Sequence, residues 1–258
     1  MISYCVACYR PTYARLLLQE LVSKTTAPYE ILLWLNVSDA GLDADIAEAI
    51  AQGVPLTVVG RTPHNIGMTA YIDLFRASRY PLIAQIDDDV VCISRGLAER
   101  AAHVFKRFPQ VRQVVADVWQ DEYTTGARPP LSQYRVYDAS ERLYEGPVDG
   151  WLSVYHRGIL PMLTRLPISA YYPIGATICG ALSQRGFKGV LDLGGMKVFH
   201  VIGPDYARAF GMLEHEIAKY RRLNRQDIVD WYEASAVKDA HAMTARVEQI
   251  RSYFGLRA

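Results

Sequence analysis

Short apolar runs separated by helix-length segments fill the first half of the chain, and that alternation limits the fold more than any single motif. Residues 2–8, 31–35, 56–59, 82–91 and 111–118 read as buried strands. Between them, residues 11–23, 43–51, 65–78 and 97–108 read as helices. The third of these puts Ile66, Ala70, Leu74 and Ala77 on one face. Strands that alternate with helices imply right-handed crossovers. The expected fold is therefore α/β, a mostly parallel, Rossmann-like sheet flanked by helices. Ligands of such sheets bind beyond the carboxyl ends of the strands. The polar residues expected there are Tyr9-Arg10, residues 36–39, residues 61–65, and Asp87-Asp88-Asp89. They come from different strands and should meet at one crevice.

The aspartates carry the most specific chemistry. An apolar run enters three carboxylates side by side, which repel one another and are costly to bury unless paired or bound to metal. Asp87 and Asp89 are two apart, so in an extended chain they point to the same side. Hard oxygen ligands on one side suit Mg²⁺ or Mn²⁺, especially where phosphates complete the shell. A solvated acidic turn that caps the next helix is the plainer alternative.

Other classes find less support. No G-x-x-x-x-G-K-[ST] loop is present, and no G-x-G-x-x-G opens the first helix, which argues against a nucleotide triphosphatase or a dinucleotide dehydrogenase. No G-x-S-x-G elbow marks a serine hydrolase. Cys5-Val6-Ala7-Cys8 matches C-x-x-C but lies inside the first strand, where redox pairs do not usually sit, so these read as ordinary reduced cysteines. A formal net charge of +1 gives no global field to draw nucleic acid or acidic lipid. Met1 leads into an apolar strand without a basic leader, and no apolar run spans a bilayer. The expected location is the cytoplasm, with peripheral attachment to a membrane face left open.

Beyond residue 120 the pattern loosens. Gly126, Pro129 and Pro130 mark a loop, and Tyr123, Tyr134, Tyr137 and Tyr144 stud the region, which reads equally as binding loops or a β-rich excursion. Asp149-Gly150 precedes a further strand. Residues 196–201 form a strand containing His200, and residues 204–211 read as a mobile lid over a bound ligand. From residue 212 the chain is helical. A mixed stripe of Val237, Ala240, Thr244, Val247, Arg251 and Phe254 there reads as a docking surface that could serve self-association. The expected division is 1–211, with halves at 1–118 and 119–211, followed by a helical extension at 212–258.

In order, then, the chain has an N-terminal strand, a second strand leading to Ser38-Asp39, an Asn65-x-Gly67 turn opening a helix, and an apolar strand entering Asp87-x-Asp89. This order resembles the nucleotide-sugar half of GT-A fold glycosyltransferases, most closely the family-2-like group. The resemblance is close over the first half and weaker through Asp149-Gly150 to His200. It implies a metal-dependent transferase that uses Mn²⁺ or Mg²⁺, a UDP- or GDP-sugar donor, and a carbohydrate or other hydroxyl acceptor. It also implies roles. Asp39 would contact the nucleoside, and Asn65 and Gly67 would line its pocket. Cys8, Tyr9, Arg10, Asp87 and Asp88 would complete the donor site. Asp87, Asp89 and His200 would hold the metal.

One departure bears on mechanism. Inverting members usually carry an acidic pair, one of them the base, ahead of a helix that ends near a glycine, and the matching stretch here, residues 174–179, contains no carboxylate. Either Asp149 or Asp192 supplies the base, or configuration is retained and the departing phosphate takes the proton. Retention needs only the groups this sequence shows, and it is the expected outcome. Two competing readings remain. In a haloacid-dehalogenase-like phosphatase Asp87 would be nucleophile and Asp89 acid, although that family places the motif on its first strand. A non-catalytic sugar-nucleotide-binding protein would need no base at all.

Overall fold

The computed structural model describes all residues except 122, 124–127, 149, 168–173, 202, 235–239 and 255–258, together with the side chains of 240, 241, 244, 247 and 251. Most of the stripe expected to dock on a partner, including Val237, Thr244 and Val247, lies outside that set. Two compact units emerge. One comprises residues 1–117 and 129–198, the other 118–128 and 199–258.

In the first unit the elements follow in the order β1 (Ile2–Cys8), α1 (Pro11–Lys24), β2 (Tyr29–Leu35), α2 (Ala40–Ala51), β3 (Leu56–Arg61), α3 (Ala70–Ala77), β4 (Leu82–Asp87), β5 (Val90–Ile93), α4 (Leu97–Arg107) and β6 (Val111–Val118). Next come β7 (Arg135–Asp138), β8 (Leu143–Glu145), β9 (Leu152–His156), α5 (Leu160–Leu163), α6 (Ile174–Ser183) and β10 (Lys188–His200), whose last residues pass into the second unit. The strands order as β3-β2-β1-β4-β9-β6-β10-β8-β7, with β5 paired to β10.

The sheet is α/β and flanked by helices, but mixed rather than mostly parallel. β3, β2, β1 and β4 run parallel, and β9 then inserts antiparallel between β4 and β6. A reading built on strand–helix alternation is confined to the part where helices make the crossovers, and β9 lies beyond it. Residues 82–91 also form two strands instead of one. Asp88 and Asp89 make a turn, after which Val90–Ile93 leaves β4 and joins β10. Residues 65–78 become helical only in stages, through a single 3-10 turn (Gly67–Thr69) into α3.

The core explains this packing. Cys5, Leu32 and Ile83 point to one face of the sheet, where Tyr71, Leu74 and Phe75 of α3 and Ile174, Ile178 and Leu182 of α6 close over them. The α6 residues recur every four positions, one face of a helix. Tyr4 and Val6 alternate with Cys5 and are buried too, so β1 is covered on both sides, as parallel strands require. Cys5 and Cys8 are buried, unpaired thiols, and burial pushes both of their pKa values up. A redox pair would need the opposite shift.

The second unit holds α7 (Pro204–Ala209), α8 (Leu213–Arg222), α9 (Gln226–Ala234) and α10 (Ala240–Tyr253). Ala207, Ile217, Val229 and Tyr232 form its core. Asp121 ties the unit together. Its carboxylate accepts from the Tyr206 hydroxyl at 2.5 Å and from Arg246 at 2.9 and 3.0 Å, while Trp119 stacks edge-on against Tyr253. Residues 204–209 are thus a helix with Pro204, Asp205, Tyr206 and Ala207 buried, not the mobile lid expected from sequence. The glycines and proline that signalled a loop instead bound the helix: Pro204 takes its first turn, and Gly203 and Gly211 adopt positive φ at 99° and 69°. Among the described residues, no helix is long and apolar enough to cross a membrane.

Candidate active site

The register of the parallel strands builds the crevice. Ala7 pairs with Asp87 and with Trp34, Cys8 pairs with Leu35, and Leu35 pairs with Arg61. The strand ends are therefore level, and the loops that leave them open on one edge of the sheet. Asn36 joins two of these loops, since its side-chain oxygen accepts from the Thr62 hydroxyl at 3.0 Å and from the Ile66 N–H at 3.2 Å.

Asp87 closes β4, and its N–H bonds to the Trp151 carbonyl at 3.0 Å. The chain then turns. Asp87 and Asp89 each present a carboxylate oxygen within 4.8 Å of the other, Asp87 half-buried and Asp89 buried. They converge through a turn, not through alternation along an extended strand. Two oxygen donors at this spacing, on the rim of a strand-end crevice, fit a hard divalent cation such as Mn²⁺ or Mg²⁺.

Asp88 serves the protein itself. One oxygen accepts from the backbone N–H groups of Tyr9 (2.5 Å) and Arg10 (2.7 Å), and the other accepts from the Arg10 guanidinium. The same guanidinium nitrogen lies 2.8 Å from Asp89. Arg10 is 8% exposed, so this is a buried ion cluster. It brings one positive charge to a turn that carries three formal carboxylate charges. The family resemblance implies that Asp88 and Arg10 lie against the donor. The structure shows them joining the β1–α1 loop to the aspartate turn. Cys8, also assigned to the donor, has a fully buried side chain, whereas Tyr9 is partly exposed at the same loop.

On the other side of the crevice, Asp39 caps α2. Its side chain accepts from the Leu42 N–H at 2.7 Å. Asn65 accepts from the Gly67 N–H at 2.7 Å, an Asx turn that leaves Gly67 with φ of 57°. Glycine is needed there because an L side chain strains that backbone. Asp39→Ala should cost about 1 kcal/mol of stability in urea unfolding, the usual penalty for a lost N-cap, while Asp39→Asn keeps the cap and should cost nearly nothing.

The candidate bases separate sharply. Asp192 is fully buried in β10 and saturated. Arg100 donates to both its oxygens at 2.9 Å, and the N–H groups of Gly194 and Met196 add 2.7 and 3.1 Å bonds. A carboxylate so held is engaged on both oxygens by the protein itself. Asp149 lies outside the described residues. Its neighbour Gly150 has a carbonyl that accepts from Gln85 at 2.8 Å, and a Cβ on Gly150 would come within 3.1 Å of Ile174 at the start of α6. The start of α6 is thus connected through Gly150 and Trp151 to the end of β4. α6, which covers the stretch where the resemblance implies a base, carries no carboxylate.

The fold is that of GT-A glycosyltransferases. A mannosyltransferase, PcManGT from Pyrobaculum calidifontis, solved with GDP-Man and Mn²⁺, superposes with a TM-score of 0.57 at 14% identity, over 99% of this chain and 83% of that one. GalNAc-T7, solved with UDP, GalNAc and Mn²⁺, gives 0.61 at 12% identity, over 100% of this chain and 55% of the other. TarS 1-349 from S. aureus gives 0.55 at 10% identity, over 99% and 78%. No family model matches the chain, and no curated protein does. At these identities the likeness concerns fold, and the chemistry rests on this chain's own residues.

Proposed function

We propose that the protein is a metal-dependent glycosyltransferase that moves a sugar from a nucleotide-diphosphate sugar to a hydroxyl acceptor. The observation that carries this reading is the Asp87–Asp89 pair at the carboxyl edge of β4, in a fold whose solved relatives were captured with nucleotides or sugar-nucleotides and Mn²⁺. Asp87 and Asp89 hold the cation; the family resemblance makes His200, the last residue of β10, the expected third ligand. Bound there, Mn²⁺ or Mg²⁺ supplies positive charge beside a leaving diphosphate. Asp39, Asn65, Gly67 and Tyr9 line the nucleoside side of the crevice. The phosphatase alternative is disfavoured, because β4 is the fourth strand in sequence and lies between β1 and β9.

The reaction proceeds with retention of configuration. Asp192 is committed to Arg100, and the start of α6 offers no carboxylate, so the acceptor proton passes to a phosphate oxygen of the departing donor. Proton NMR of the first product formed should show the donor's anomeric configuration preserved. An inverted coupling constant overturns retention and makes Asp149 the next residue to substitute. The function itself is tested by thermal shift with UDP, GDP, CMP and their sugars, with and without Mn²⁺. A selective, Mn²⁺-dependent rise with one nucleotide is the expected result, and no shift with any of them rejects the reading. Asp39→Asn separates capping from recognition: stability holds while nucleotide affinity falls.

A further inference from the structure

A cavity of about 430 Å³ opens in the first unit among the 3-10 turn before β7, the β8 strand, the C-terminal half of α6 and the start of β10. That volume lies within the range of small-molecule sites, roughly 300–1,000 Å³. It is far from the aspartate turn. The Lys188 N–H bonds to the Gln110 carbonyl just before β6, whereas near the other end of β6 the Ala116 carbonyl accepts from the Trp151 ring N–H, and the Trp151 carbonyl accepts from the Asp87 N–H. The length of β6 between them is about 20 Å at roughly 3.3 Å per residue. The cavity thus sits toward the amino-terminal edge of the sheet, opposite the candidate metal site.

Its lining combines a fixed aromatic ring with a fixed polar cluster. Tyr134 is partly exposed and held at two points: its hydroxyl donates to the Pro147 carbonyl at 2.6 Å, and its ring lies so close to Gly146 that a Cβ there would come within 2.5 Å. The Glu145 carboxylate takes Lys188 at 2.6 Å and Arg135 at 2.7 Å. Burial raises the Glu145 pKa, but these two cations more than offset it, and the net shift is downward. Phe187 stands beside them, with the Arg112 guanidinium 5.1 Å from its ring centre.

An apolar ring beside an acceptor–donor cluster matches one chemical class well. A pyranose presents C–H groups on one face and vicinal hydroxyls at its edge, which both donate and accept. A simple anion fits less well, because both cations already engage Glu145. An apolar ligand would leave the ion cluster desolvated.

We infer that this cavity binds a neutral sugar unit, as a subsite for a glycan chain whose other end reaches the transfer site. The glycan's role as acceptor rests on the function proposed above; the binding does not. Saturation-transfer NMR should be run with methyl α-mannoside, methyl β-glucoside, methyl N-acetyl-β-glucosaminide, cellobiose and mannobiose, in the absence of metal and nucleotide. At least one probe should receive saturation, and Tyr134→Ala should weaken its titrated affinity at least tenfold. Ser183→Trp fills the cavity from an exposed position on α6 and should abolish the signal without lowering the melting temperature. Adding nucleotide with Mn²⁺ should leave the signal intact. The inference is overturned by silence from every probe, by a signal that survives Ser183→Trp, or by displacement with nucleotide and Mn²⁺. Calorimetry of nucleotide with Mn²⁺ on the same variants reads the proposed function separately.

Discussion

If the proposed function holds, Asp89→Asn should abolish Mn²⁺-dependent nucleotide binding and lower sugar transfer about 1,000-fold or more, while the protein stays folded. The substitution keeps the shape of the side chain and removes the charge of one of two oxygens that lie within 4.8 Å across the turn. A cation that neutralises a leaving diphosphate contributes several kcal/mol to the transition state, and each 1.36 kcal/mol is about tenfold in rate. The fold should tolerate the change because Arg10 keeps its bonds to Asp88 when Asp89 becomes neutral. Calorimetry with UDP or GDP in Mn²⁺ decides the matter. Affinity within twofold of the parent protein means that the pair does not hold the cation.

The parts of this site that could be read from the sequence share one property: local pattern determines them. Short apolar runs and helical spacing place β1 to β4 and their helices, and strand ends in such a sheet necessarily collect the loops at 9–10, 36–39, 61–65 and 87–89. The Asn65-x-Gly67 turn is equally local, since an Asx bond and a positive φ lie within three residues. What stayed hidden depends on partners distant in sequence. Asp88 reads as one more acid at a ligand site, yet its oxygens are satisfied by residues 78 and 79 positions earlier. Asp192 reads as an available carboxylate, and only Arg100 on another helix shows that it is spent. The supposed lid at 204–211 failed differently. Its proline and glycines are loop signals and helix boundary signals alike, and the choice was made by Ala207 packing on Ile217, Val229 and Tyr232.

Arg10 is the residue whose importance the pattern concealed most, and its removal should have the largest effect on stability. Arg10→Met leaves Asp88 and Asp89 buried at 4% and 6% exposure without their shared guanidinium. Breaking one side of a buried ion pair typically costs about 3–5 kcal/mol, because the remaining charge is left unpaired. Asp88 keeps its two backbone N–H donors, so the lower part of that range, about 3 kcal/mol, is expected. The cost belongs to the two buried carboxylates that lose the guanidinium, not to the lost packing of the arginine stem, and a double-mutant cycle separates the two. In an Asp88→Asn background the carboxylate that Arg10 contacts most closely is already neutral. Arg10→Met should then cost less by about 1–2 kcal/mol, the size of coupling seen between directly bonded groups. Equal costs in both backgrounds would show that Arg10 acts through packing alone. The outcome also reaches the site. If the coupling is present, the loop at Tyr9 and the turn at Asp89 form one rigid piece, and Arg10→Met should weaken nucleotide binding although Arg10 itself need never touch the nucleotide.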